Sequence, residues 1–88
     1  MDNKNLSLEG LIFEAIELSV ENNIVSITLN RPEKKNAINP VMANEIIYSL
    51  AFAAQERDIR VVVIKANGDV FCAGGDLGTM SGKSSEST

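Results

Sequence analysis

The order of apolar patterns along the chain predicts a mixed α/β fold of the α+β kind, arranged ββαβ. Three observations carry this reading. Residues 12–29 form two strand-like runs around Glu21–Asn22–Asn23, Asn39–Pro40 opens a long apolar helix, and Arg60–Ala66 (RVVVIKA) is unbroken by polar punctuation. Period-two alternation marks a half-buried strand, while a continuous β-branched run marks a strand covered on both faces.

The first run places Ile12, Glu14, Ile16, Leu18 and Val20, mostly apolar, on even positions, opposite Phe13, Ala15, Glu17 and Ser19. The reading is a strand with an apolar even face. Asn tolerates positive φ, so Glu21–Asn22–Asn23 is a tight turn. The β-branched segment Ile24–Leu29 returns, making Ile12–Leu29 an antiparallel hairpin. Pro32 cannot donate to a ladder and ends that strand. Asn39 as N-cap with Pro40 at the first helical position starts a helix of about 40–57.

Met42, Ile46, Leu50 and Ala53 fall on one helical face, and Ile47, Ala51 and Ala54 add a second apolar strip. A helix apolar over most of its circumference is expected to be covered on two sides, by a sheet and by something else. Strand 60–66 then follows as a buried strand, and Val70–Ala73 as a short one. The expected organisation is a polar lead-in over 1–10, one partial domain over 11–77, and a flexible tail or mobile loop over 78–88.

The chain has 88 residues, enough for one small domain burying roughly two thirds of its unfolded surface. A formal charge of −4 argues against a nucleic-acid or anionic-membrane surface, which call for clustered Lys and Arg. No apolar run approaches a membrane span, and the first ten residues carry no signal-like apolar region. The single cysteine, Cys72, makes a reducing, cytoplasmic setting the expectation. Histidine is absent, which removes Ser-His and Cys-His nucleophile pairs and the commonest zinc ligand.

The segment GDVFCAGGDLG, residues 68–78, is the most informative. A dinucleotide fingerprint needs G-x-G-x-x-G, and no two glycines here are two apart. A P-loop needs GxxxxGK[ST]; Gly78 and Gly82–Lys83–Ser84 are one residue too close. Cys72 reads as a small buried thiol. Two readings of Gly74–Gly75 remain: a plain strand-to-loop turn, or a place where the Gly75 N–H faces a ligand oxygen. A helix beginning near Asp76 would add its positive end to that spot.

ITLNRPEKKNAIN (27–39), the helix after it, and VVVIKANGDVFCAGGDL (61–77) resemble the N-terminal part of the crotonase superfamily, the enoyl-CoA hydratase/isomerase family. The likeness runs from about Phe13 to Leu77. It implies a crotonase-like spiral fold and a coenzyme A thioester as substrate, with no further cofactor. By the same resemblance Gly75 gives one oxyanion-hole N–H to the thioester oxygen, and Lys34 and Lys35 are candidate contacts to the CoA phosphates, against a plain solvated loop. Ala37 and Ala73 would line the nucleotide side, and Asp76 would cap the next helix or orient the loop within the CoA site. Arg31 and Asn36 are read as structural, fixing their loop through hydrogen bonds.

The family's second oxyanion donor, its catalytic carboxylates and its trimer-forming helices lie beyond the positions present here. The expectation is therefore an N-terminal portion of an acyl-CoA hydratase or isomerase, inactive alone, from a homo-oligomeric, trimer-based family. The alternative is a truncated, non-catalytic acyl-CoA-binding or self-association module.

Overall fold

The computed structural model describes residues 11–75. Three strands, β1 (Ile16–Glu21), β2 (Ile24–Leu29) and β3 (Val61–Ala66), form one sheet in the order β1-β2-β3. Helix α1 (Pro40–Gln55) connects β2 to β3, and a short 3-10 helix, Pro32–Lys34, precedes it. The ββαβ order expected of the chain is the order found.

β1 and β2 pair antiparallel, from Ile16 opposite Leu29 to Glu21 opposite Ile24. The two turn residues have φ of 53° at Asn22 and 69° at Asn23. That left-handed pair matches the twist of a two-residue hairpin, which explains the Asn-Asn sequence. β3 joins β2 in parallel, Ile24 opposite Val61 and Leu29 opposite Ala66. A parallel neighbour needs a crossover, and α1 supplies it.

The Asn39 side chain accepts from the Met42 amide at 2.8 Å and Pro40 follows, so the helix start works as the sequence indicates. The helix ends at Gln55, short of residue 57, where the Glu56 amide turns back to the Ala53 carbonyl at 3.3 Å.

The core lies between α1 and the β1–β2 hairpin. Val25, Ile27 and Leu29 of β2 are buried on one face with Ile16 and Ala15, under Met42 and Ala53 of α1. Helix residue Ser49 is also fully buried, its hydroxyl donating to the Glu45 carbonyl at 2.8 Å. Back-bonding to the preceding turn lets a hydroxyl occupy a core position without an orphaned polar group.

Four expectations are corrected. The hairpin begins at Ile16, not Ile12, and Ile12 is 88% exposed. Leu50 lies outside the core at 42% exposure, because the buried stripe runs Met42–Ser49–Ala53. Strand 60–66 is not buried: Val61 to Lys65 are all exposed, since α1 lies over β1 and β2 and leaves β3 at the sheet edge. Val70–Ala73 forms no strand; its backbone bonds go to a side chain and a loop instead of a ladder. The readings for 1–10 and 78–88 lie outside the described residues.

Candidate functional site

Two loops meet at the C-terminal ends of β2 and β3. The first, Asn30–Ile38, coils tightly. Lys34 and Asn36 amides both donate to the Arg31 carbonyl, at 2.9 and 2.8 Å, and the Lys35 amide donates to the Pro32 carbonyl at 3.0 Å. Closing so short a coil takes Lys35 and Asn36 into the left-handed region, φ 53° and 57°. Asn accepts that conformation readily; Lys does so less comfortably. The Arg31 guanidinium donates to the Ala37 carbonyl and braces the far side of the loop.

Asn36 is sealed from solvent. Its Oδ1 accepts from the Arg31 amide at 2.7 Å, and its Nδ2 donates to the carbonyls of Asn67 at 2.7 Å and Val70 at 2.9 Å. A buried amide side chain has to be satisfied in this way, because an unpaired one is costly. The structural role read for Arg31 and Asn36 is therefore what the geometry displays. Beyond that reading, Asn36 reaches into the second loop.

The second loop, Asn67–Gly75, continues from β3. The Asn67 amide donates to the Leu29 carbonyl at 2.9 Å, and its side chain donates to Asn30 Oδ1 at 2.9 Å. Gly68 follows with φ of 93°. Further along, the Ala73 amide donates to the Lys35 carbonyl at 3.0 Å and the Ile38 amide donates to the Gly74 carbonyl at 2.7 Å. Gly74 has φ of 104°, and its own amide meets the Cys72 sulfur at 3.4 Å.

Gly75 makes an isolated parallel bridge with Ile38. The bond of this bridge runs from the Ile38 amide to the carbonyl of Gly74, the neighbour of its counterpart, so the N–H of Gly75 faces the opposite side. Among the described residues that amide has no acceptor, and Gly75 is exposed.

The structure thus brings Lys35, Ala37, Ala73 and Gly75 to one seam, with Lys34 one residue earlier in the coil. Lys34, Lys35 and Ala73 are exposed and Ala37 is half-buried. Asp76 lies outside the described residues. Asn67 and Gly68 also shape the seam. Among the described residues no cluster of His, Cys, Asp and Glu is arranged to hold a metal ion, and no helix is long and apolar enough to cross a membrane.

These paired loops carry the sequence blocks whose likeness to known proteins is decisive. Residues 19–88 match the family model described as enoyl-CoA hydratase/isomerase. The chain belongs to the enoyl-CoA hydratase/isomerase family. It is 38% identical over 65 residues to the trans-2-decenoyl-[acyl-carrier-protein] isomerase of Streptococcus mutans, a match covering 74% of this chain and 25% of that protein. Human enoyl-CoA delta isomerase 2 is 42% identical over 65 residues, covering 74% of this chain and 16% of its own length. An enoyl-CoA hydratase from Mycobacterium tuberculosis superposes with a TM-score of 0.75 at 31% identity, over 80% of this chain and 32% of that one. A probable enoyl-CoA hydratase from Mycobacterium thermoresistibile does so at 0.70 and 44% identity, over 73% and 26%. The fold is that of the enoyl-CoA hydratases, and the chain spans about a quarter of the length of such relatives.

Proposed function

We propose that this chain supplies one half of an oxyanion hole and one wall of a coenzyme A pocket in an acyl-CoA hydratase or isomerase. The observation that supports the reading is the Gly75 amide, which has no acceptor among the described residues and is held in place by the Ile38–Gly74 bond. A backbone N–H positioned before any substrate arrives polarises a thioester carbonyl and stabilises the enolate oxygen that forms on it. Lys34 and Lys35 offer positive charge to the CoA phosphates from the neighbouring coil, and Ala37 and Ala73 line the nucleotide side.

One such donor contributes on the order of 3 kcal/mol to the transition state. The described residues offer one such donor and no partner groups to move protons beside it, and on this reading the 88-residue polypeptide is inactive by itself. Crotonyl-CoA hydration by the purified chain should stay at the buffer rate. Turnover above that rate removes the half-site reading. Titration with an acyl-CoA should move the amide resonances of Lys34, Lys35 and Gly75; no movement removes the pocket.

A second reading has its own support. Leu50 at 42% exposure borders one open groove with Ala54, Ile59, Val61 and Val62, an apolar surface suited to self-association. Sedimentation at micromolar concentration separates the two, since a clean monomer rules out self-assembly through that surface.

A further inference from the structure

We infer that Asn36 is the positioning residue for the Gly75 amide, acting across the seam between the two loops. This rests on the half-site reading above only for the identity of what the amide meets. The geometry is independent of it. Asn36, itself sealed from water, holds Arg31 on its own loop and Asn67 and Val70 on the other, all at 2.7–2.9 Å. Its chain neighbours finish the clamp: the Lys35 carbonyl receives the Ala73 amide, and the Ile38 amide reaches the Gly74 carbonyl.

The bonds therefore alternate along one short stretch, side chain at 36 and main chain at 35 and 38. They grip the second loop at 67, 70, 73 and 74, the residue before Gly75. Gly74 and Gly75 have few restraints of their own, since glycine populates both signs of φ. Among the described residues nothing within 4 Å would stand against a Cβ at Gly74, so their packing does not fix this turn. The direction of the Gly75 N–H is set by hydrogen bonds from the first loop, and Asn36 is the buried member that aligns them. A buried and fully satisfied polar group of this kind rigidifies its surroundings.

The test is nuclear magnetic resonance on the full 88-residue chain. If one clamp holds the seam, the Ile38 and Ala73 amides and the Asn36 side-chain amide of the unaltered protein open in one event. Their exchange rates, corrected for intrinsic chemistry, should yield the same opening constant. In Asn36→Asp, which keeps the acceptor to Arg31 and loses both donors, Ile38 and Ala73 should exchange at least tenfold faster. The hairpin amides Val25 and Ile27 should keep their rates, and the Gly75 resonance should shift or broaden. Separate opening constants in the unaltered chain overturn the inference even if the variant fails to fold. So does a folded Asn36→Asp whose Gly75 signal is unmoved. An unresponsive Gly75 under acyl-CoA, with the common opening intact, counts against the thioester alone.

Discussion

Gly68 sits against Pro32 so closely that a Cβ at Gly68 would lie 2.9 Å from the Pro32 Cβ. The contact joins the two loops at their base and adds steric fit to the hydrogen bonds above it. Gly68 also has φ of 93°. Replacing it with alanine combines backbone strain of about 1–3 kcal/mol with an overlap worth about 1 kcal/mol or more. Gly74 has a similar φ, 104°, and no described residue within 4 Å of where its Cβ would go. Gly68→Ala should therefore lower the urea midpoint more than Gly74→Ala. Equal losses would mean that the Pro32 contact yields freely.

The hairpin turn makes a prediction of opposite sign. Asn23 has φ of 69°, and glycine is the residue most favoured at the second position of such a turn. Asn23→Gly relieves left-handed strain while loosening the unfolded chain, and the two effects partly offset. The net expectation is a gain of a few tenths of a kcal/mol, read as a higher denaturation midpoint. A loss would show that the Asn23 side chain contributes to the turn beyond its backbone preference.

Glu45 holds the lead-in to β1 onto the helix. Its carboxylate accepts from two consecutive amides, Glu14 at 2.7 Å and Ala15 at 2.8 Å. Beside it, Phe13 meets Tyr48 edge to face with ring centroids 6.4 Å apart. Glu45→Ala leaves the part-buried Ala15 amide without its acceptor, a loss of about 1–3 kcal/mol. Glu45→Gln retains one acceptor oxygen and should lose less. The near-ultraviolet signal of Tyr48 should weaken in the alanine variant; a full signal at unchanged stability would show that the lead-in is held by other contacts.

Much of this fold was readable because its determinants are local. Asn22–Asn23 and Asn39–Pro40 act through their own backbones, so residue type alone locates the turn and the helix start. The errors fall where distant groups decide. Period-two alternation runs back to Ile12, yet Glu45 captures the backbone at residues 14 and 15, so pairing begins only at Ile16. Val70–Ala73 has strand composition, but Asn36 and Lys35 take its hydrogen-bonding groups. In β3 the pattern of a doubly covered strand sits at an open edge, because coverage depends on what packs against a strand. At the site, the residue types at 34, 35 and 75 were visible, whereas the clamp through Asn36 and Asn67 depends on two loops meeting in space.

The helix start offers a calibration of that local legibility. Asn39→Ala removes the acceptor for the Met42 amide, and Met42 is fully buried. Loss of such a cap typically costs about 1 kcal/mol. Asn39→Ser, which keeps a capping oxygen, should recover most of it in thermal melts. If alanine and serine destabilise equally, Pro40 alone defines the start.

Lys35 allows charge and conformation to be separated at the proposed pocket. It ends the 3-10 helix with φ of 53° and ψ of 34°, a conformation that disfavours a side chain. Lys35→Gly removes the ammonium and the strain together, while the carbonyl that receives the Ala73 amide remains. Stability should hold within about 1 kcal/mol, because relief of the left-handed backbone offsets the added freedom of the unfolded chain. Acyl-CoA binding should nevertheless weaken by roughly two- to fivefold at low salt, the range expected of one exposed charge, and the difference should fade as salt screens it. Lys35→Glu should weaken binding further on the same scaffold. If glycine and glutamate both bind like the unaltered chain at low ionic strength, Lys35 makes no contact with the phosphates and its role is confined to the turn.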